Sequence, residues 1–482
     1  MPKIDLAKAF DRIEWRFIVS ALARKGLPSH FINLVHACIS SPMFSVIING
    51  QSFAKFNSTR GIRQGCPLSP YLFVLVVNEL SIMLQDALQA NHLSDISLGP
   101  NCPPIHSLMF ADDLIICGKA EVQEANAILN ILDHFCHESG QTPNWSKSGI
   151  LFSKNVTMQN REDIKRIFPA PNIDGSFVHL GHPLILPSKE RSAAYNFVYE
   201  KFKSKLTSYK ANRLSHAARL TLIKFVFSSI PVYYMSNILF LKKFLSKLTA
   251  IIRNFWWTGV QEDQTTKSLC LRAWADVCIA KNIGGLGVRN LQALNQGLIL
   301  SAAWRLTKEP QSQIAQILKA KYHHDTSIWR AKSNKPKSAF WAAILKVKPL
   351  LISAPTCQIV DGSSSVWSSP WFLGWEDIYD HLIIQEQPFS YPATVKDLWI
   401  PGRKQWNASL INSLFTPQTA NVILQTPIVY IAGQDTLVWT LTPAGDWSSK
   451  SSYRHCFNNL QLPLRQRPKI VPQETLALLK QV

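Results

Sequence analysis

The sequence lacks the features that define disulfide-bonded, zinc-ribbon and membrane-spanning proteins. Its nine cysteines stand singly, with no Cys-x-x-Cys pair, so neither a disulfide framework nor a zinc ribbon is predicted. The first residues carry no signal peptide or basic amphipathic leader, and Pro231 interrupts the least charged run, residues 225–241. We therefore expect an intracellular protein, in the nucleus or the cytoplasm, with no membrane partner and no disulfide-linked partner.

Acidic residues are scarce in comparison with basic ones. There are 31 Asp and Glu against 51 Lys and Arg, which gives a formal net charge of +20. Such an excess favours a partner with dense negative charge. Nucleic acid is the commonest one, although a ribosome or an anionic membrane surface would suit the same charge. The 482 residues have globular composition and are enough for two to four domains.

Two of these scarce acids are adjacent, in the segment Phe110-Ala111-Asp112-Asp113, which has apolar residues on both sides. This pattern predicts a β-hairpin that holds both aspartates at its turn. Neighbouring carboxylates repel unless a cation lies between them, and Mg²⁺ binds carboxylates of this kind. An isolated Asp-Asp pair is also typical of an ordinary surface turn, so the interpretation depends on the rest of the chain.

The first residues place another acid, Asp5, at the end of a short apolar run. Asp11 and Glu14 have the spacing of a helix capping box, so we assign Asp11 as the N-cap of a helix that ends at Gly26. Asp5 has no such structural role in the sequence pattern. It is therefore the better candidate for chemistry.

Further elements follow from turn residues and helical periodicity. The predictions are a helix after Ser29, a hairpin around Asn49-Gly50, helices over 71–90 and 121–138, and short strands at 150–152 and 178–184. Between the hairpin and the next helix, residues 59–70 contain two glycines, two prolines and two arginines. Such a shaped loop can hold a nucleotide or a template base, or can simply connect a strand to a helix.

Five of these segments resemble, in order, the polymerase palm of a non-LTR (LINE-type) retrotransposon reverse transcriptase, in its plant form. They are residues 5–11, 60–70, 110–113, 144–148 and 180–184. Each segment alone is a weak signal. Five in series over the first part of the chain identify this part as a member of that family.

The resemblance implies an α+β fold with four regions. A reverse-transcriptase palm, an antiparallel sheet with packed helices, is expected over 1–185, and thumb or connection helices over 186–260. A helical connection region is expected over 261–350, with a linker at 332–337. A Trp-rich α+β region over 351–482 would lead into a truncated zinc-binding-type domain. Only two of the 15 tryptophans precede residue 153, which supports a separate C-terminal unit.

The resemblance also implies the catalytic residues. Asp5, Asp112 and Asp113 would bind two Mg²⁺ ions, with Mn²⁺ as the alternative, and Leu6 would lend its backbone carbonyl. These ions would align a primer 3′-oxygen with the α-phosphate of a deoxynucleoside triphosphate.

Four further residues are implied to contact the nucleotide. Phe10 would lie under the sugar and select deoxynucleotides, or would only pack a helix against the sheet. Gln64 and Gly65 would contact the nucleotide and the template. Lys147 would protonate the pyrophosphate leaving group, or would be an ordinary solvated lysine.

Basic residues are predicted to follow the nucleic-acid backbone by phosphate contacts. A solvated helix face would have the same composition. The predicted contacts are Arg60 and Arg63 in the loop, and Lys203, Lys210, Arg213 and Arg219 in the thumb.

The expected function is RNA-directed DNA polymerase, with an RNA template, a DNA primer and deoxynucleoside triphosphates as partners. A non-catalytic remnant that only binds nucleic acid is the alternative, and an intron-maturase-like RNA-folding factor is a weaker third hypothesis. The sequence begins at the first catalytic motif and ends without a zinc-ligand cluster, so we expect a fragment truncated at both ends. Such a fragment would bind nucleic acid but polymerise poorly.

Overall fold

The computed structural model describes residues 1–99, 101–173, 178–184, 193–208, 214–259, 270–332, 337–372, 375–383 and 391–460. The chain divides into two compact units, residues 1–187 and 188–482. Each unit has its own hydrophobic core. Most of the predicted linker, residues 333–336, lies outside the described residues.

The first unit combines eight strands with six helices in the part of it that is described. In chain order these are β1 Pro2–Asp5, α1 Ala9–Arg12, α2 Trp15–Arg24, α3 Ser29–Ser40, β2 Met43–Ile48, β3 Gln51–Asn57, α4 Ser69–Gln89, β4 Ser107–Phe110, β5 Asp113–Ile116, α5 Val122–Ser139, β6 Gly149–Ile150, α6 Met158–Ile167, β7 Val178–His179 and β8 His182–Pro183.

A four-stranded antiparallel sheet in the order β4-β5-β1-β6 forms the centre of this unit. Leu114 and Ile116 of β5 and Ile4 of β1 are fully buried, so these strands pack into the core rather than face solvent on both sides. Helices α2, α4 and α5 pack on one another around the same core. The predicted α+β palm-type fold is confirmed.

Helix α4 is the one described helix that is long and apolar enough to cross a membrane. Core helices of soluble proteins have the same length and composition, and nine residues of α4, including Leu72, Val76 and Leu80, are buried within the first unit. Its composition is therefore weak evidence for a membrane.

The predicted Asn49-Gly50 turn forms, and a glycine ends helix α5. Asn49 and Gly50 have φ of 50° and 83° between β2 and β3, the backbone of a type I′ turn. Gly140, with φ of 76°, ends α5 in the left-handed conformation.

The assignment of Asp11 as a helix N-cap is wrong. Asp11 lies inside the short helix α1, the chain leaves helical geometry at Ile13, and Glu14 is the N-cap of α2. The carboxylate of Asp11 instead accepts a hydrogen bond from Nε2 of Gln64 at 3.2 Å. Residue spacing could not reveal this break between two helices.

The second unit is mainly helical in the part that is described. Its elements are α7 Asn196–Ser208, α8 His216–Leu222, α9 Val232–Met235, α10 Lys242–Thr258, α11 Trp274–Cys278, α12 Leu291–Lys308, α13 Gln313–Tyr322, α14 Ala339–Ile352, β9 Pro355–Gln358, α15 Ala408–Leu414, α16 Pro417–Gln425, β10 Thr436–Trp439 and α17 Ser449–Asn459.

Tryptophan side chains fill much of the core of this second unit. Trp341, Trp371, Trp375 and Trp439 are almost completely buried, beside helix α12 and the antiparallel pair β9–β10. Burial of such large aromatic side chains gives a large hydrophobic contribution. The nine cysteines, all within the described residues, carry free thiols.

Candidate catalytic site

The pairing of β1 with β5 brings Asp5 and Asp113 together. The two residues are directly opposite each other in the antiparallel register, and residues that pair in this way point to the same face of a sheet. The N–H of Leu6 donates to the carbonyl oxygen of Asp112 at 3.2 Å, which extends the pairing into the turn. The three predicted catalytic aspartates are therefore neighbours.

The predicted hairpin is confirmed, with one difference in detail. Phe110 pairs with Asp113, so the loop between β4 and β5 consists of Ala111 and Asp112 alone, and Asp113 is the first residue of β5. Ala111 has φ of 51°, a conformation that costs free energy for residues with a Cβ atom. Asp112 is solvent-exposed at the tip. Backbone strain of this kind concentrates at functional sites.

The electrostatics of Asp5 show how close the charged groups lie. Burial raises the pKa of the Asp5 carboxyl, and the charges of Asp112 and Asp113 raise it further. Lys147 and Lys3 act in the opposite direction, and Lys147 is the larger of these two effects. A cation bound among the three carboxylates would relieve their repulsion.

Lys3 is a further member of this site that the sequence analysis did not single out. Its Nζ lies 3.0 Å from Oδ1 of Asp113, and the two side chains are only 7% and 23% exposed. Side chains two residues apart on a strand share a face, so Lys3 and Asp5 project from the same side of β1. This alternation was the signal that could have revealed Lys3.

A tight turn fastens the backbone of Asp5. The N–H of Asp5 donates to Oγ of Ser148 at 3.1 Å, and its carbonyl oxygen accepts from the N–H of Asn144 at 2.7 Å. Ser148 is completely buried and also donates to the carbonyl oxygen of Asn144. Lys147 belongs to this turn, so the same bonds that fix Asp5 bring Lys147 near it.

The glycine-rich loop is fixed against helix α1 and the residue that follows it. The N–H of Gly61 donates to the carbonyl oxygen of Ile13 at 2.7 Å, and the N–H of Ile62 donates to that of Phe10 at 2.8 Å. A Cβ atom on Gly61 would lie 2.7 Å from the carbonyl oxygen of Asp11, so only glycine allows this approach. The loop is therefore an organised structure next to the segment that follows Asp5.

The predicted ligands in this loop face solvent. Gln64 and Gly65 are exposed, as are Arg60 and Arg63, and Nη1 of Arg60 lies 3.7 Å from Oε1 of Glu14. These side chains are accessible for a nucleotide or a strand.

Phe10 is half-buried and stacks on Phe73 of α4, with ring centroids 4.9 Å apart. This contact supports a packing role, although between two helices rather than between a helix and the sheet. Selection of deoxynucleotides by its ring stays a prediction.

The predicted thumb contacts fall into three groups. Lys210 and Arg213 lie outside the described residues. Lys203 is half-buried, with Nζ 4.7 Å from the ring centroid of Tyr199. Arg219 is only 9% exposed, and its Nη1 donates to the carbonyl oxygen of Trp256 at 3.5 Å. Such burial does not fit the predicted phosphate contact of Arg219, which here packs inside the helical core.

Oxygen donors suited to Mg²⁺ are present, but they are not arranged as a finished metal centre. Within the described residues no group of three or more His, Cys, Asp and Glu side chains has a metal-binding arrangement. Asp113 is held by Lys3, and Asp112 faces solvent at the turn. Asp5 and Asp112 are thus the carboxylates that remain for an ion, and they match the one or two that Mg²⁺ usually takes from a protein.

Comparison with known proteins agrees with this geometry. Residues 1–183 match the family model described as reverse transcriptase (RNA-dependent DNA polymerase). This part of the chain is thus similar to reverse transcriptases, and the predicted resemblance to a non-LTR reverse transcriptase is confirmed.

The related proteins include retroelement polyproteins. A putative ribonuclease H protein of Arabidopsis thaliana is 30% identical over 56% of this chain and 43% of its own length. A retrovirus-related Pol polyprotein from the type-1 retrotransposable element R2 of Popillia japonica is 27% identical over 36% of this chain and 27% of its own length. An uncharacterized mitochondrial protein of Arabidopsis thaliana is 28% identical over 30% of this chain and 94% of its own length. The chain thus spans less than half of the first two relatives.

Proposed function

We propose that the chain carries the polymerase site of a LINE-type retroelement and adds deoxynucleotides to a primer 3′-hydroxyl on an RNA template. The observation that carries the proposal is the register of β1 and β5, which sets Asp5 opposite Asp113 and beside the Asp112 turn. Divalent metal ions serve reverse transcriptases generally. Mg²⁺ held by Asp5 and Asp112 would neutralise the triphosphate and the developing charge on the attacking oxygen.

The residues of the chain have distinct parts in this proposal. Asp5 and Asp112 supply carboxylate oxygens, and the Asn144–Ser148 turn keeps the backbone of Asp5 in place. Asp113 forms an ion pair with Lys3, and this pair stabilises the strand register at the site. Lys147 is near enough to affect the pKa of Asp5 and is the candidate proton donor to the leaving pyrophosphate.

A nucleic-acid-binding protein without synthesis is the second candidate. The observation that favours it is the Lys3–Asp113 pair, since a buried lysine already neutralises one carboxylate of the site. Both candidates share the fold and the basic charge. They differ in whether Asp112 matters for activity.

The test is templated incorporation of labelled deoxynucleotides by the full chain, in parallel with RNA binding. Asp112→Asn should abolish the synthesis that the unaltered chain supports, however weak, while RNA affinity stays within about twofold, because the lost oxygen charge acts on the transition state and not on strand binding. Asp95→Asn, at another exposed aspartate of the same unit, is the matched control and should leave both unchanged.

Three outcomes separate the candidates. Synthesis that depends on Asp112 supports the polymerase. RNA binding with no synthesis by the unaltered chain supports the binding protein. Synthesis that survives Asp112→Asn would contradict the proposed site.

A further inference from the structure

A cavity of about 580 Å³ lies in the second unit, among residues 306–379. Its wall contains Lys319 of α13, His323, Arg330, and the rings of Trp367 and Tyr379. The volume falls within the range of roughly 300–1,000 Å³ that is common for small-molecule sites. None of these residues belongs to the polymerase site described above.

Arg330 is the central cation of this cavity. Its Nε donates to the carbonyl oxygen of Trp367 at 2.7 Å, and its guanidinium carbon lies 4.3 Å from the ring centroid of Tyr379. Nη2 is buried and has no hydrogen-bond partner, and no carboxylate of the described residues forms an ion pair with Arg330. A partly buried guanidinium without a counter-charge is unfavourable unless an anion pairs with it.

Neighbouring groups add to this positive charge. Burial lowers the pKa of Lys348, and the nearby charges of Lys332 and Arg330 lower it further. Nζ of Lys348 donates to the carbonyl oxygen of Ala331 at 2.8 Å, next to Arg330 in the chain. Lys348 and Lys332 therefore add positive charge close to Arg330, although neither lines the cavity.

The carboxylate on the described part of the cavity wall is that of Asp325. It is 79% exposed, and one of its oxygens lies 2.6 Å from Nε2 of His324. An exposed carboxylate that is already engaged contributes little neutralisation at Arg330. The cavity is thus electropositive and suited to an anion.

We propose that this cavity binds a phosphate group of a single-stranded nucleic acid. Arg330 provides a planar guanidinium fixed by its bond to Trp367, and Lys319, which is exposed, provides a mobile ammonium group. Trp367 and Tyr379 stack with ring centroids 5.2 Å apart, and Tyr379 is 51% exposed. Single-strand binding sites combine phosphate contacts with aromatic surface on which bases stack, and the exposed part of Tyr379 supplies such surface beside these cations.

Two sources could supply such a phosphate: the backbone of a strand, or free phosphate and pyrophosphate. We favour the strand, because its bases can stack on the aromatic surface beside the cations. Free phosphate and pyrophosphate have no group that would use this surface. The proposal does not depend on synthesis at Asp5 and Asp112. It can therefore fail or succeed separately from the proposed function.

The test uses the full chain and a fluorescent single-stranded RNA whose anisotropy reports binding. Lys319→Gln should weaken RNA binding by roughly fivefold to tenfold, because one charge-assisted contact is lost. Lys321→Gln is the matched control: Lys321 is exposed on the same helix, loses the same charge, and does not line the cavity. Arg330→Gln, with its fold checked by circular dichroism, should weaken binding at least as much. Thermal stabilisation by inorganic phosphate and by pyrophosphate is measured on the same variants.

The outcomes decide between the sources. Weaker RNA binding in Lys319→Gln than in Lys321→Gln supports the proposal. If the cavity variants keep their RNA affinity but lose stabilisation by phosphate or pyrophosphate, a nucleic-acid strand is ruled out as the ligand and the cavity is assigned to the free anion. Equal RNA affinities of the two lysine variants, with unchanged stabilisation by phosphate, would overturn the site itself.

Discussion

At the scale of single residues, Lys3 determines how the aspartates of the first unit coexist when no ion is bound. Three carboxylates lie close together. The ion pair between Nζ of Lys3 and Oδ1 of Asp113, at 3.0 Å, compensates the negative charge of one of them. Lys3 is itself almost fully buried, and removal of one partner from a buried ion pair leaves the other charge uncompensated. The pair stabilises the sheet and the site together.

Lys3→Met should therefore loosen β1 and β5 in the absence of divalent metal. We expect the opening free energy of their amides, measured by hydrogen exchange, to fall by about 1–3 kcal/mol. This is less than the roughly 3–5 kcal/mol seen when a fully buried pair is broken, because Asp113 is 23% exposed. Added Mg²⁺ should restore part of the loss by binding the freed carboxylate.

Lys154→Met is the control, since Lys154 is exposed in the same unit. The two variants should differ clearly in the exchange of β1 and β5. If they exchange alike, the ion pair contributes nothing to the sheet.

At the scale of elements, the glycine-rich loop and helix α1 form one assembly. Two backbone hydrogen bonds and the indole of Trp15, which donates to the carbonyl oxygen of Gly61 at 2.7 Å, hold the loop in place. Gln64 reaches Asp11 from this loop. The exposed residues of the loop are thus positioned by the same helix that follows Asp5.

Gly61→Ala should destabilise the first unit by more than about 2 kcal/mol, because a left-handed backbone and a contact of 2.7 Å with Asp11 both oppose the added methyl group. Gly26→Ala is the matched control: φ is 74°, but nothing lies within 4 Å of the new Cβ atom. It should cost only about 1 kcal/mol from the backbone alone. Urea unfolding of both variants measures the difference, and equal losses would show that the close approach is unimportant.

The sequence predicts those elements whose cause is local. Asn49-Gly50 makes its hairpin turn and Gly140 ends its helix because the backbone conformation depends on those residues themselves. The hairpin of Asp112 and Asp113 follows from its flanking apolar residues in the same way.

Contacts between distant segments could not be predicted. The Lys3–Asp113 pair requires the register of two strands, and the bond from Asp5 to Ser148 requires the path of the intervening chain. The burial of Arg219 has the same origin, since a basic residue on a helix looks the same in sequence whether it faces Trp256 or solvent. Position in three dimensions decides these roles.

At the scale of the whole molecule, a net charge of +20 is carried by a chain with two separate compact units. Charge of this size favours phosphate contacts that do not read sequence. Both the exposed arginines of the glycine-rich loop and the cavity of the second unit offer such contacts.

RNA binding by the full chain should therefore weaken steeply with salt, by roughly 10³-fold or more between about 50 and 200 mM, because bound phosphates release counterions. A peptide nucleic acid of the same base sequence has no phosphates and is the control ligand; it should bind far more weakly. The measurement is anisotropy across a salt series. A shallow salt dependence would mean that base contacts, not the backbone, dominate.

The bond between Asp5 and Ser148 joins residues 143 positions apart, and β1 has both of its sheet neighbours, β5 and β6, far along the chain. During synthesis on the ribosome β1 therefore waits, without either of these sheet neighbours, until most of the unit has emerged. Closing such a long loop is slow, and pairings with high sequence separation delay folding. Helices α2 and α3, whose contacts are local, can form long before the aspartates meet. The aspartate site is consequently a late product of folding, and a nascent chain interrupted before residue 112 would contain helices α2 and α3 but not the paired aspartates.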